Sequence, residues 1–100
     1  MKPTKFAAIG AVACEIAKTL TLPMSFAELG AWLNANGYTT DRGTPFVEGG
    51  RGIGKILRAT YDRARNAGQK AIADAVAKAF VNANGEYAWE VWNRLYPEAD

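Results

Sequence analysis

One hundred residues, 49% of them apolar and 22% charged, suffice for one domain with a modest core and exclude both a two-domain and a disordered chain. A single cysteine, Cys14, and no histidine exclude an internal disulfide, a structural zinc site and histidine-based acid–base chemistry. The net charge of +2 hides an asymmetry: residues 1–41 balance, residues 42–70 hold seven cations against two anions (+5), and residues 71–100 hold two against five (−3). A positive field gathered on one stretch is the footprint of a polyanion binder.

Residues 4–19 place Phe6, Ile9, Val12 or Ala13, and Ile16 at helical spacing, with Leu20 beyond, which predicts a first helix. Leu22-Pro23 ends it, because proline pushes the residue before it out of helical geometry. Cys14 sits among alanines on this segment and reads as a small buried hydrophobe. The most apolar run, Phe6 to Ala17, contains Glu15 and is too short to span a bilayer. The start lacks the order of a secretory signal, so a cytoplasmic protein with no membrane partner is expected.

After a short connector, Ser25 and Glu28 have the spacing of a capping box. Met24 and Leu29 occupy the positions of a hydrophobic staple. Phe26, Leu29, Trp32 and Leu33 share one face. Asn36-Gly37 then offers a left-handed terminus, so a helix over about 26–36 is expected. Residues 38–47 form either two very short strands around Asp41-Arg42-Gly43 or, the favoured reading, an irregular turn closed by Phe46. Thr39, Thr40, Arg42 and Thr44 there have the chemistry for phosphate contacts, although threonines also satisfy turn backbone.

Gly49 to Lys55 fits G-x-x-x-x-G-K, but Ile56 stands where a phosphate-binding loop needs Ser or Thr. A nucleotide-binding loop is therefore set aside. The glycines instead let backbone amides approach a phosphate at a helix start, with a first turn that orders on binding. On the helix expected over 51–65, Ile53, Ile56, Leu57, Thr60 and Ala64 fall together, and Arg51, Lys55, Arg58, Asp62 and Arg65 fall opposite. The charged stripe runs about 21 Å, enough to follow a duplex groove. Asp62 is expected to pair with Arg58.

Asn66-Ala67-Gly68 breaks the helix, and Ile72, Val76, Ala79 and Phe80 mark another over 69–83, ending at Asn84-Gly85. AWLNANGY at 31–38 and AFVNANGEY at 79–87 read as one helix-ending solution used twice. In the tail, Tyr87, Trp89 and Val91 alternate as a strand would, but a short helix over 87–96 is favoured; Trp89, Trp92 and Tyr96 there either fill the core or form a homodimer surface that would place two basic helices on one duplex.

Ser25, Leu29, Trp32, Leu33, Asn34, Gly37, Tyr38, Thr40, Gly43, Phe46, Ile56, Leu57, Arg58 and Tyr61 together resemble the DNA-binding "recombinase" domain that follows the catalytic domain of large serine recombinases. The resemblance covers residues 25–61 and implies that the loop around Thr40 to Thr44 and the helix from Arg51 face a duplex. It implies no recombination activity, because the catalytic domain and the zinc ribbon are missing from this sequence.

The expectation is an all-α single domain with a helix-turn-helix-like unit over 25–65 and C-terminal helices over 69–96. Its expected role is a non-enzymatic, cofactor-free DNA-binding regulator or accessory factor of a phage, plasmid or other mobile element. Thr40, Arg42, Thr44, Arg51, Lys55, Arg58 and Arg65 are the expected DNA contacts. The alternative is a small phage- or plasmid-encoded inhibitor that turns the same basic face on an acidic protein.

Overall fold

A computed structural model describes residues 4–19, 22–47, 49, 50 and 52–95. It is all-α in class: α1 (Lys5–Thr19), a two-residue strand β1 (Met24–Ser25), α2 (Phe26–Ala35), α3 (Ile53–Asn66), α4 (Lys70–Ala79), a second two-residue strand β2 (Phe80–Val81), and α5 (Ala88–Leu95).

Local chemistry sets most helix ends. Thr4 Oγ1 accepts from the Ala7 amide at 3.2 Å and opens α1. The capping box of α2 is complete: Ser25 Oγ accepts from Glu28 N at 3.0 Å, and Glu28 Oε1 accepts from Ser25 N at 3.2 Å. At its end the Gly37 amide reaches Asn34 O and the Tyr38 amide reaches Leu33 O, with Gly37 at φ +80°, the pair of bonds that defines a Schellman terminus. The end of α3 repeats that geometry with Gly68 and Gln69, whose amides reach Arg65 O and Ala64 O.

The core lies where these helices meet, with Ile9, Leu29, Leu33, Ile53, Leu57, Val76 and Phe80 fully buried. Each such side chain contributes about 1.5–3 kcal/mol by leaving water. Small residues set the closest approach. Gly10 of α1 lies against α4, where an added Cβ would stand 3.1 Å from Ile72 Cγ2.

Four sequence expectations are corrected. The helix expected over 69–83 stops at Ala79, because Phe80 and Val81 extend and pair in parallel with Met24 and Ser25. The connector before α2 is thereby strand rather than plain linker. The second NANG then ends no helix: Asn82 Oδ1 accepts from the amides of Asn84 and Glu86 at 3.0 and 2.9 Å, and this side-chain turn competes with helical bonding. The tight turn leads into α5, whose Glu90 reaches back to the Tyr87 amide at 2.7 Å. The helix expected from Arg51 begins at Ile53, since Gly52 is left-handed at φ +86°.

Between α2 and α3 the connection runs from Asn36 to Gly52, far longer than the three- to four-residue turn of a helix-turn-helix. No strand forms over 38–47. The segment is an irregular turn, closed by Phe46 entering the core. Among the described residues no helix is long and apolar enough to cross a membrane.

Two left-handed glycines at the entrance to α3 differ in their surroundings. A Cβ on Gly50 would lie 2.7 Å from Ala27 N and 2.8 Å from Phe26 C, whereas one on Gly52 would meet nothing within 4 Å. Gly52→Ala is therefore expected to cost about 1 kcal/mol of backbone strain. Gly50→Ala, which adds a clash with the start of α2, should cost at least about 2 kcal/mol more than that. Urea denaturation of the two variants measures the difference.

Candidate nucleic-acid interface

The polar loop owes its position to one side chain of α2. Asn34 Nδ2 donates to Phe46 O at 2.9 Å, and its Oδ1 accepts from Phe46 N at 2.8 Å. The amide thus pairs with both backbone groups of one residue, as a neighbouring strand would. Beyond that clasp the tip closes on itself: Thr40 N donates to Thr44 O at 2.8 Å, Gly43 N donates to Thr40 O at 2.9 Å, and the two hydroxyls lie 2.8 Å apart. Thr40 and Thr44 are committed first to the turn, the structural role weighed for them.

The loop tip, the start of α1 and the outer side of α3 border a groove of about 580 Å³. Lys5, Arg42, Lys55, Thr40, Thr44 and the acidic Asp41 supply its polar lining, and Phe6, Ile56 and Ala59 supply apolar surface. Arg42 and Lys55, thirteen positions apart, come to one place because the Asn34 clasp folds the loop back toward α3.

The expected single stripe on α3 divides into two banks. Lys55, Ala59 and Arg63 step by four along the side toward α1, where the Arg63 guanidinium lies 4.1 Å from the Phe6 ring centroid. Arg58 and Arg65 follow the side toward α5. Arg58 lies 5.5 Å from the Tyr61 ring and 5.6 Å from the Trp92 ring, and pairs with Asp62 at 3.3 Å. Its side chain is only 32% exposed, so part of it serves packing. Arg65 lies 5.8 Å from the Tyr61 ring and donates to the Tyr61 hydroxyl at 3.4 Å. Arg51 and Tyr96 lie outside the described residues.

Of the two readings open for Trp92, core or dimer surface, the structure gives the core. This residue is 3% exposed, tilts against Tyr61 with ring centroids 5.1 Å apart, and donates its indole N–H to Gly54 O at 3.3 Å. It is core, and its polar atom is satisfied inside the chain. Trp89 remains 42% exposed.

Two cations missed in the sequence belong to the groove side. Arg63 lies one helical turn beyond Ala59, on the edge of the wheel. The Lys5 side chain is 13% exposed, and its ammonium meets Asp41 Oδ1 at 2.6 Å across 36 positions of chain. It also donates to Thr39 O at 3.3 Å. No periodicity signals a pairing so distant.

The hydrogen bond from Lys5, reinforced by its charge and by Arg63, holds the Asp41 carboxyl below its ordinary value of 3.8. A folded-state value lower than the unfolded one stabilises the fold above the ordinary value, and the stabilisation disappears as pH falls through the lowered value. Glu86, held down by hydrogen bonds from Arg94 and then Asn82, acts in the same direction. Asp41→Asn is therefore expected to flatten the acid limb of a melting-temperature profile below about pH 4 and leave the neutral limb level. An acid limb identical to that of the parent chain would contradict the pairing.

Compared with protein-family models, with curated proteins and with solved structures, the chain matches none.

Proposed function

We propose that the protein is a small non-enzymatic DNA-binding regulator or accessory factor of a phage, plasmid or other mobile element. It grips double-stranded DNA with the outer surface of α3 and the tip of the 40–44 loop. The observation that carries this reading is the convergence of Arg42 and Lys55 on one groove, with Arg58 and Arg65 on the flanking bank. These side chains come from the stretch that holds the chain's positive excess. Residues 25–61 also resemble the DNA-docking domain of serine recombinases, which supports the same surface. With no histidine in the chain, the commonest general acid–base of enzymes is missing.

The surface is suited to backbone contact. Exposed Arg and Lys neutralise phosphates and release counterions, which makes affinity fall steeply with salt. Arg58, stacked against two rings, is oriented before binding, so less rotamer freedom is lost when it meets a phosphate.

The cations divide by what else they do. Replacing Arg42, Lys55 and Arg65 together by Ala is expected to lower affinity for a short duplex. The log–log salt slope should drop by about 0.9 for each phosphate left without its cation, with the melting temperature nearly unchanged. Arg58→Ala should weaken binding too, but also remove about 1 kcal/mol of stacking, or roughly 5 °C of melting temperature. Fluorescence anisotropy across a salt series and thermal melts supply both readouts. Duplex affinity unchanged in the triple variant would sink the reading. A parent chain that ignores duplex DNA even at about 50 mM salt would turn the same face toward an acidic protein instead.

A further inference from the structure

We propose that Lys5 anchors a backbone-phosphate site at the mouth of the α1–α3 groove, and that the Asp41 carboxylate occupies this site in the free protein as an internal stand-in for the phosphate. The inference rests on the duplex reading and adds to it a residue outside the basic stretch, together with a competitor carried by the chain itself.

The pair is lopsided. The Lys5 side chain is 13% exposed and the Asp41 side chain 93% exposed. The Lys5 stem is covered at the edge of the groove, and its ammonium is held there by Asp41 Oδ1 at 2.6 Å and Thr39 O at 3.3 Å. The acid rides on the loop tip and stands in water on every side but the one facing Lys5. An ion pair with one solvated partner is worth little and is easily exchanged. Lys5, its stem covered, stays at the groove when the carboxylate leaves, keeping Thr39 O as a protein partner and room for another anion. An incoming phosphate replaces one anion by another while the carboxylate rotates into solvent.

The surroundings favour the heavier anion. Arg63 adds its positive field at Asp41, and Arg42 and Lys55 line the same groove. Lys5 and Arg63 thus act on the carboxylate while Arg42 and Lys55 line the groove beside it, so cations outnumber the acid there. A phosphodiester has the same charge and two acceptor oxygens as the carboxylate, but is not tethered to the loop tip and is free to seat between Lys5 and a second cation. The groove is also where the proposed duplex surface ends on the α1 side, so this phosphate would flank the contacts made by α3.

A double-mutant cycle tests the idea, with anisotropy on a short random-sequence duplex at several salt concentrations. Asp41→Asn should bind at least about twofold tighter than the parent, the low end of couplings between neighbouring side chains. Lys5→Met, which keeps an apolar stem over Phe6, should bind more weakly with a salt slope smaller by about 0.9. In the Lys5→Met background Asp41→Asn should change nothing further. Should Asp41→Asn tighten binding equally in both backgrounds, its effect is general repulsion from DNA and the internal competitor is refuted. Weaker or unchanged binding by Asp41→Asn refutes it as well. A parent chain that binds no duplex takes down the broader reading along with this one, whereas the preceding outcomes leave the broader reading standing. The parent chain also offers a readout that needs no substitution. On adding duplex, the Asp41 carboxyl carbon resonance should move to that of a solvated aspartate, and a resonance that stays in place overturns the proposal.

Discussion

The amide of Asn34, hydrogen-bonded on both edges to the backbone of Phe46, is the constraint on which the proposed surface depends. A polar segment of ten residues has little burial of its own to hold it. Here one end is fixed by the Schellman terminus of α2 and the middle by this clasp. Phe46, 5% exposed, then contributes the hydrophobic free energy that a hydrogen-bonded pair alone does not supply. Two satisfied backbone groups also matter in the negative sense, since stranding them partly buried would cost about 1–3 kcal/mol each. The ion pair between Lys5 and Asp41 adds little strength by comparison, because its acid is solvated. It orients the tip that the clasp has already placed.

From that placement the electrostatic character follows. A stripe on an isolated helix is one continuous surface, but α3 is packed on two sides. The flank against α1 gathers Lys55 and Arg63 with the loop, and the flank against α5 sets Arg58 against Tyr61 and Trp92. Neighbouring helices thus determine which cations are free to move and which are held. A guanidinium lying on aromatic faces keeps its charge while giving up rotamers, and this combination suits a contact of defined direction.

Much of the fold was legible in the sequence where a few adjacent residues decide the outcome. Ser25 with Glu28, Asn36 with Gly37, and Asn66 with Gly68 each specify a helix end through bonds spanning three to five positions. The buried face of α3 was legible for the same reason, with Ile53, Leu57, Thr60 and Ala64 all buried. What escaped was non-local. NANG occurs twice, and it closes a helix after Leu33 but forms a side-chain turn after Val81, because only the second follows a strand that has a partner at Met24 and Ser25. Trp92 reads equally as interface or core until Gly54 and Tyr61 are seen beside it. Of the site, Arg42, Lys55, Arg58 and Arg65 were legible as a charge cluster, whereas Lys5 was not. Its partner is 36 positions away, and Arg63 was passed over at the margin of the helical wheel.

The short pairing of Met24–Ser25 with Phe80–Val81 has a consequence for how this protein can vary in length. It closes a ring of chain whose helical segments cannot gain or lose a residue without rotating their apolar faces by about 100°. Slipping the strands by one position would turn Phe80 out of the interior. Within that ring, insertions and deletions are absorbed most readily at Asp41-Arg42-Gly43, beyond the Asn34 clasp and with Gly43 facing open space. Descendants of this scaffold are therefore free to lengthen or shorten this fingertip, while the palm beneath it stays the same size.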